Sequence, residues 1–222
     1  MAEVKVIKIN QNVNASNERS AEEIRAFFKK QGTLFVNVMS SPGSGKTTLL
    51  SALINKLKGE LKIGEMDVDI KSSVDAQTVA DKTGIESMQI NNGGLCHIDA
   101  DMVSRALLQY DTTGLDLLIL ENIGNLVCPA EFDTGAHLNM MLLSVPEGDD
   151  KPLKYPLMFS ICDLVLITKI DTLEYFNFDM DKARKRILDL NPKATIIPVS
   201  AKTGEGMEEV CDWLKKHVEE IK

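Results

Sequence analysis

Phe35-Val-Asn-Val-Met-Ser-Ser-Pro-Gly-Ser-Gly-Lys-Thr-Thr-Leu-Leu50 decides the fold. An apolar, β-prone run ends in a glycine-rich turn. Lys46-Thr47 follows, and then the helix-forming segment Leu49-Leu50-Ser-Ala-Leu-Ile-Asn-Lys-Leu57. Strand, glycine loop, Lys-Thr and helix in this order make a triphosphate-binding loop. Pro42, Gly43, Ser44 and Gly45 let backbone N–H groups crowd around phosphate oxygens, and the new helix adds its positive end. Lys46 is placed for the β- and γ-phosphates, the Thr47 hydroxyl for Mg²⁺, and Thr48 closes the cradle. The strict G-x-x-x-x-G-K-[ST] pattern begins with glycine, and this chain has Ser40 there. A plain Gly-rich turn before a helix would leave the adjacent Lys-Thr unexplained.

Outward from this loop, strand-like and helix-like segments alternate. A short strand is expected around Val4, Val6 and Ile9. Ser20-Ala-Glu-Glu23 has the pattern of a capping box, opening a helix that stops at Gly32. Further strands are expected at Leu34–Met39, Lys62–Asp69, Ile85–Ile90, Leu115–Leu120, Leu164–Thr168 and Thr195–Val199. Helices are expected at Ala76–Lys82, Asp99–Tyr110, Asp181–Leu190 and Gly206–Ile221, with partial helix in Phe132–Val145. Continuous apolar runs such as Leu115–Leu120 mark strands buried on both faces. The pattern predicts an α/β, three-layer P-loop NTPase fold, a mostly parallel sheet with helices on both faces. Residues 1–222 form one domain, with 1–19 as an N-terminal extension and 20–222 as the core. Ligands in such sheets sit at the carboxyl ends of strands. Those ends carry Ser40–Thr47, Asp69, Glu121, Thr168–Asp171 and Ser200–Lys202, which read as one site.

Composition narrows the function classes. The 222 residues are 44% hydrophobic and 26% charged, those of a globular chain. A net charge of −8 without a basic run argues against nucleic acid as the main partner. No apolar stretch reaches the ~18–20 residues that span a bilayer, and Met1–Asn10 has no secretory h-region, so the expected location is the cytoplasm. Four cysteines give no disulfide framework.

Thr168-Lys169-Ile170-Asp171 follows a buried strand. A carboxylate at Asp171 can accept from both guanine N1–H and the 2-amino group, which adenine does not offer in that geometry. The Lys169 stem would pack along the purine. Some 30 residues later, Ser200-Ala201-Lys202 resembles the segment that meets the guanine oxygen in GTPases. Together with the phosphate loop they predict GTP rather than ATP. Asp171 could also act simply as a helix N-cap. Mg²⁺ needs hard oxygen ligands: Thr47 supplies one, Asp69 and Glu121 are the next candidates, and Asp67 and Asp75 are nearby alternatives. Glu121-Asn-Ile-Gly124 takes the place of the usual D-x-x-G, with the Gly124 amide as a γ-phosphate sensor. Lys46, Thr47, Glu121 and Gly124 are the catalytic candidates. No glutamine or arginine is obviously placed for the attacking water, so slow hydrolysis is expected.

Cys96-His97 before one helix, and Cys128 after the Glu121 strand, form a second constellation. Thiolates plus imidazole suit Zn²⁺ or Ni²⁺. Three ligands leave a four-coordinate metal open, which a symmetric homodimer sharing the site would close. Asp101, four residues after His97, is a candidate ligand or supporting residue. Cys162 and Cys211 lie in apolar segments and read as core.

Ser40–Thr48, Gly94-Leu-Cys-His-Ile-Asp-Ala100, Glu121-Asn-Ile-Gly-Asn-Leu-Val-Cys-Pro129 and Phe132-Asp133 resemble the hydrogenase nickel-incorporation GTPases, the HypB family. The resemblance runs from about Ser20 to the C-terminus. It implies a GTPase that dimerises with GTP bound and delivers Ni²⁺ to a hydrogenase large-subunit precursor with a HypA-like chaperone. It also implies an interfacial Ni²⁺ or Zn²⁺ site at Cys96, His97 and Cys128. The Cys-rich nickel motif and His-rich tract of some members are missing, since the first cysteine is Cys96 and the first histidine His97. Rival readings are a small-molecule P-loop ATPase or kinase, and a regulatory GTPase in which Cys96 and Cys128 are bystanders. The charged loop Glu147–Pro156 reads as solvated, with Lys151 and Lys154 as candidates for reaching a second copy.

Overall fold

The computed structural model describes residues 10–69 and 74–222. The strand expected around Val4–Ile9 lies outside them. In chain order the elements are α1 (Asn10–Gln31), β1 (Leu34–Ser40), α2 (Lys46–Leu57), β2 (Ile63–Asp69), α3 (Val74–Thr83), β3 (Ser87–Asn91), α4 (Ala100–Leu107) and β4 (Leu117–Gly124). Then come α5 (Cys128–Glu131), β5 (Leu138–Ser144), α6 (Lys151–Lys154), α7 (Pro156–Ser160), β6 (Leu164–Thr168), α8 (Met180–Leu190), β7 (Thr195–Val199) and α9 (Met207–Ile221). The strands form one sheet in the order β3-β2-β4-β1-β5-β6-β7, and every pairing is parallel.

Period-two alternation along β1 sorts the core into two layers. Leu34, Val36 and Val38 face α2 and α9, packing with Leu50, Ile54, Val210 and Leu214. On the opposite face Phe35 packs with α1 and α4 through Phe28 and Val103. Met39, on the same side, packs with α7 and α8 through Phe159 and Ile187. A row of three amides, Asn122 and Asn37 buried and Asn139 half-buried, crosses that second face: Asn122 Nδ2 donates to Asn37 Oδ1, and Asn37 Nδ2 donates to Asn139 Oδ1, each at 3.0 Å.

Several expected elements are redrawn. Ser20 does not cap a helix. It lies inside α1, and its hydroxyl donates to the Asp101 carboxylate of α4. Asn17, one turn earlier, donates to the Asp133 carbonyl and accepts from Ala100 N, so tertiary bonds hold the longer helix. The helix runs unbroken through residues 19 and 20. The partial helix in Phe132–Val145 is instead loop plus strand β5. Met140–Leu143 has good helix propensity, but it is buried between β1 and β6 and tertiary pairing prevails. The Glu147–Pro156 loop contains the single-turn helix α6, where Lys154 pairs with Asp150 at 2.6 Å. Strand β4 runs past Leu120 and carries Glu121 and Gly124 within it.

Candidate functional site

The phosphate loop folds as its glycines require. Gly43 and Gly45 take φ of 73° and 99°, a left-handed region that L side chains rarely adopt, and α2 starts immediately at Lys46. Ser40, the departure from the strict pattern, is an anchor. Its hydroxyl accepts from Lys46 Nζ at 3.0 Å and from Ser44 Oγ at 2.6 Å, and donates to the Ser41 carbonyl. A Cβ at Gly124 would come within 3.0 Å of the Pro42 backbone, so Gly124 is where β4 passes the loop at closest approach.

Beside the loop lies a cavity of about 340 Å³ lined by Ser44, Gly45, Thr48, Thr168, Lys169, Asp171, Ala201 and Lys202. Thr168 Oγ1 donates to the Ser44 carbonyl, and Lys169 Nζ to the Gly43 carbonyl at 2.8 Å. Lys169 has a φ of 59°, the one non-glycine in the left-handed region among the described residues. That kink begins a 3₁₀ turn, Ile170–Tyr175, rather than an α-helix. Asp171 caps nothing there. It accepts from Ser200 Oγ at 2.7 Å and stands 3.9 Å from Lys202 Nζ. Of the nucleotide residues selected from the sequence, Ser44, Gly45, Thr48, Thr168, Lys169, Asp171, Ala201 and Lys202 line this one cavity, whereas Pro42, Gly43, Lys46, Thr47 and Ser200 do not.

A second cavity of about 130 Å³ is lined by Lys46, Asp67, Asp69, Asp75, Glu121 and Gly124. Thr47 Oγ1 donates to Glu121 Oε1 at 2.8 Å. The register pairs Asp67, not Asp69, with Glu121. Asp69 lies two residues further on and lines the same cavity. Glu65, which the sequence reading missed, completes a buried trio whose ligand atoms lie within 4.8 Å of one another. Its signal was present: an acid at i−2 from Asp67 in a buried strand shares its face. Glu65 Oε1, Asp67 Oδ2 and Glu121 Oε2 are buried without a hydrogen-bond partner. Burial pushes Glu121 up to about 7, against the pull of Lys46 and the Thr47 hydroxyl. Burial, and then the Glu121 charge, pushes Asp67 up to about 7. Glu65 rises to about 8 through burial, opposed by its bond from Ser87. Burial also lowers Lys46, opposed by Glu121 and other nearby acids. Orphaned hard oxygens beside Thr47 are a donor set that fits Mg²⁺.

The second constellation lies on the loop before α4 and the N-terminus of α5. Cys96 and Cys128 are free thiols, with Cys96 Sγ 2.8 Å from Cys128 Sγ and 3.8 Å from His97 Nδ1. Asn125 donates to the Cys96 carbonyl, and Asn92 to the Leu95 and His97 carbonyls, which fixes both loops. Two sulfurs and an imidazole are a donor set suited to Ni²⁺ or Zn²⁺. Asp101 is engaged elsewhere, with Ser20. The ring of Phe132 lies flat on His97, with centroids 3.7 Å apart and planes 8° apart, a contact the sequence reading did not foresee. Cys162 and Cys211 are buried in the core as expected, and no helix among the described residues is long and apolar enough to cross a membrane.

Comparison with known proteins gives the family. Residues 34–198 match the family described as CobW/HypB/UreG, nucleotide-binding domain. The chain is 41% identical over 215 residues to the hydrogenase maturation factor HypB of Rhizobium leguminosarum bv. viciae, covering 97% of this chain and 72% of that protein. Two solved structures superpose closely. HypB from Archaeoglobus fulgidus has a TM-score of 0.85 at 39% identity, covering 92% of this chain and 99% of that one. HypB from Helicobacter pylori, in complex with nickel, has a TM-score of 0.87 at 39% identity, covering 92% and 96%. The chain thus belongs to the HypB hydrogenase maturation factors, within the CobW/HypB/UreG family of nucleotide-binding domains.

Proposed function

We propose that this protein is a GTP-hydrolysing metallochaperone that carries nickel during maturation of a [NiFe] hydrogenase. The observation that carries the reading is the continuity of one segment. Glu121 takes the Thr47 hydroxyl at one end, and Cys128 meets Cys96 at the other, seven residues on. The similarity to a HypB crystallised with nickel supports nickel as the cargo. Lys46, Ser44, Gly45 and Thr48 would hold the phosphates, and Asp171, with Ser200 and Lys202 behind it, would read the guanine edge. Thr47 and Glu121, with Asp67 or Asp69, would hold Mg²⁺. That ion, when bound, offsets charge on the phosphates.

In this reading Gly124 reports the γ-phosphate to the segment ahead of Cys128. Loss of that phosphate releases the Glu121–Gly124 end and displaces Cys128 from Cys96 and His97. Reciprocity then requires the metal to alter nucleotide affinity. Two copies sharing Cys96, His97 and Cys128 would complete the coordination, with GTP promoting the pairing. A HypA-like chaperone and the hydrogenase large-subunit precursor are the proposed partners, and the cytoplasm is the proposed location. The domain is read as a 20–222 core with residues 1–19 extending it. The test is nickel titration with and without a non-hydrolysable GTP analogue, reading oligomeric state alongside. Equal nickel affinity in the GTP-analogue and GDP forms would overturn the coupling.

A further inference from the structure

We propose that Phe132 is a positioning residue for the thiol–imidazole site, presetting the His97 ring and favouring its metal-bound form. The proposal rests on the reading of Cys96, His97 and Cys128 as a nickel site. His97 is half-buried at the end of the exposed stretch 93–96, and Cys96 Sγ lies 3.8 Å from its Nδ1. Phe132 covers one face of that ring almost in full register, 3.7 Å between centroids and 8° between planes. Neutral aromatic pairs prefer offset or edge-on arrangements. A full sandwich is therefore held by the backbone rather than by ring attraction.

The backbone around Phe132 is well tied down. Arg25 of α1 grips both oxygens of the Asp133 carboxylate, at 2.8 and 2.9 Å. The Asp133 carboxylate also accepts from Gly135 N, and its carbonyl from Asn17. Phe132 is thus a fixed wall against which His97 loses rotamer freedom before any metal arrives, so less entropy is lost on binding. An imidazole bound to a divalent cation is electron-poor, and the electron-rich face of a phenyl ring attracts positive charge. The sandwich disfavoured between neutral rings becomes favourable once His97 carries the metal. Phe132 also shares its segment with Cys128, so a shift that displaces the thiol removes the wall as well.

The test compares the full-length wild type with Phe132→Leu, Phe132→Tyr and Cys128→Ala. Ni²⁺ affinity is read by competition with a chromophoric chelator. Leucine keeps the apolar bulk and removes the aromatic face, and tyrosine keeps both. Phe132→Leu is expected to bind Ni²⁺ about tenfold more weakly and Phe132→Tyr to stay near wild type, the range seen when residues that orient a ligand are altered. GTP-analogue affinity should not change in either. In metal-free protein the His97 ring protons should be shifted upfield by the phenyl ring current in wild type and Phe132→Tyr, and lose that shift in Phe132→Leu. Wild-type nickel affinity in Phe132→Leu, alongside loss of nickel in Cys128→Ala, overturns the positioning role. Retained nickel in Cys128→Ala sinks the metal-site reading instead, so the two failures are separable.

Discussion

The ammonium of Lys46 is held 3.0 Å from the hydroxyl of Ser40, which also accepts from Ser44. A side chain where the strict phosphate-loop pattern has glycine therefore ties the loop's lysine to the end of β1. Ser40 is fully buried, so its removal leaves both donors short of an acceptor. Ser40→Ala should cost about 1–2 kcal/mol of stability, read as a lower denaturant midpoint. An unchanged midpoint would show that water replaces the hydroxyl without loss.

Gly124→Ala tests the close approach of β4 to the loop. The added methyl would lie 3.0 Å from the Pro42 N and Cα, and backbone cannot yield as a flexible side chain can. An overpacking cost of about 1–3 kcal/mol is expected. GTP-analogue affinity should fall with it, because Pro42 begins the turn that shapes the cradle. Titration with a fluorescent nucleotide reads the effect, and full affinity with full stability would refute the contact.

Asp171→Asn separates guanine recognition from a structural role. Ser200 can still donate to the remaining amide oxygen, so the fold should hold. The variant presents an N–H where guanine offers only donors. GTP affinity should drop on the order of 100-fold, and xanthosine triphosphate, which carries an oxygen at that position, should gain. Retained preference for GTP would place the base elsewhere.

His137 gives a pH-dependent test away from the site. Its Nδ1 accepts from Phe35 N at 3.1 Å and its Nε2 contacts the Arg25 carbonyl, so the folded state needs the neutral ring. Burial, helped by Arg25 and Lys29, pushes its pKa below the usual value, against the pull of the Arg25 carbonyl. The unfolded chain then binds more protons, and stability contributed here is present above about pH 6.5 and lost as pH falls below it. The wild type should lose more stability between pH 7 and 5.5 than His137→Gln. Parallel pH profiles for the two proteins would rule this out.

Much of this was legible in the sequence because the signals are local. Ser40–Thr48 is contiguous, and so are Thr168–Asp171 and Ser200–Lys202, so strand-loop grammar alone placed them at one sheet edge. Residues whose roles depend on neighbours distant in sequence were harder to read. Phe132 meets His97 across 35 positions, and Glu65 joins Glu121 through strand register. Strand β5 is hard to tell from part-helix in the sequence because Met-Met-Leu-Leu suits either state until β1 and β6 flank it. Ser20 has the local pattern of a cap, but its partner, Asp101, is 81 residues away.

The amide row of Asn122, Asn37 and Asn139 works as an alignment key. Sliding β4 by one residue would turn Asn122 to the other face and leave the buried Asn37 oxygen bare, at a cost of about 1–3 kcal/mol. Apolar strands such as Leu117–Leu120 and Met140–Leu143 would tolerate such a slip with little loss of contact, since they are greasy on both sides. The amides do not. By fixing how far β4 runs along β1, they fix where Glu121 stops opposite Val38, and so whether it meets Thr47 at all. The three amides thereby act as the ruler from which both candidate sites are measured.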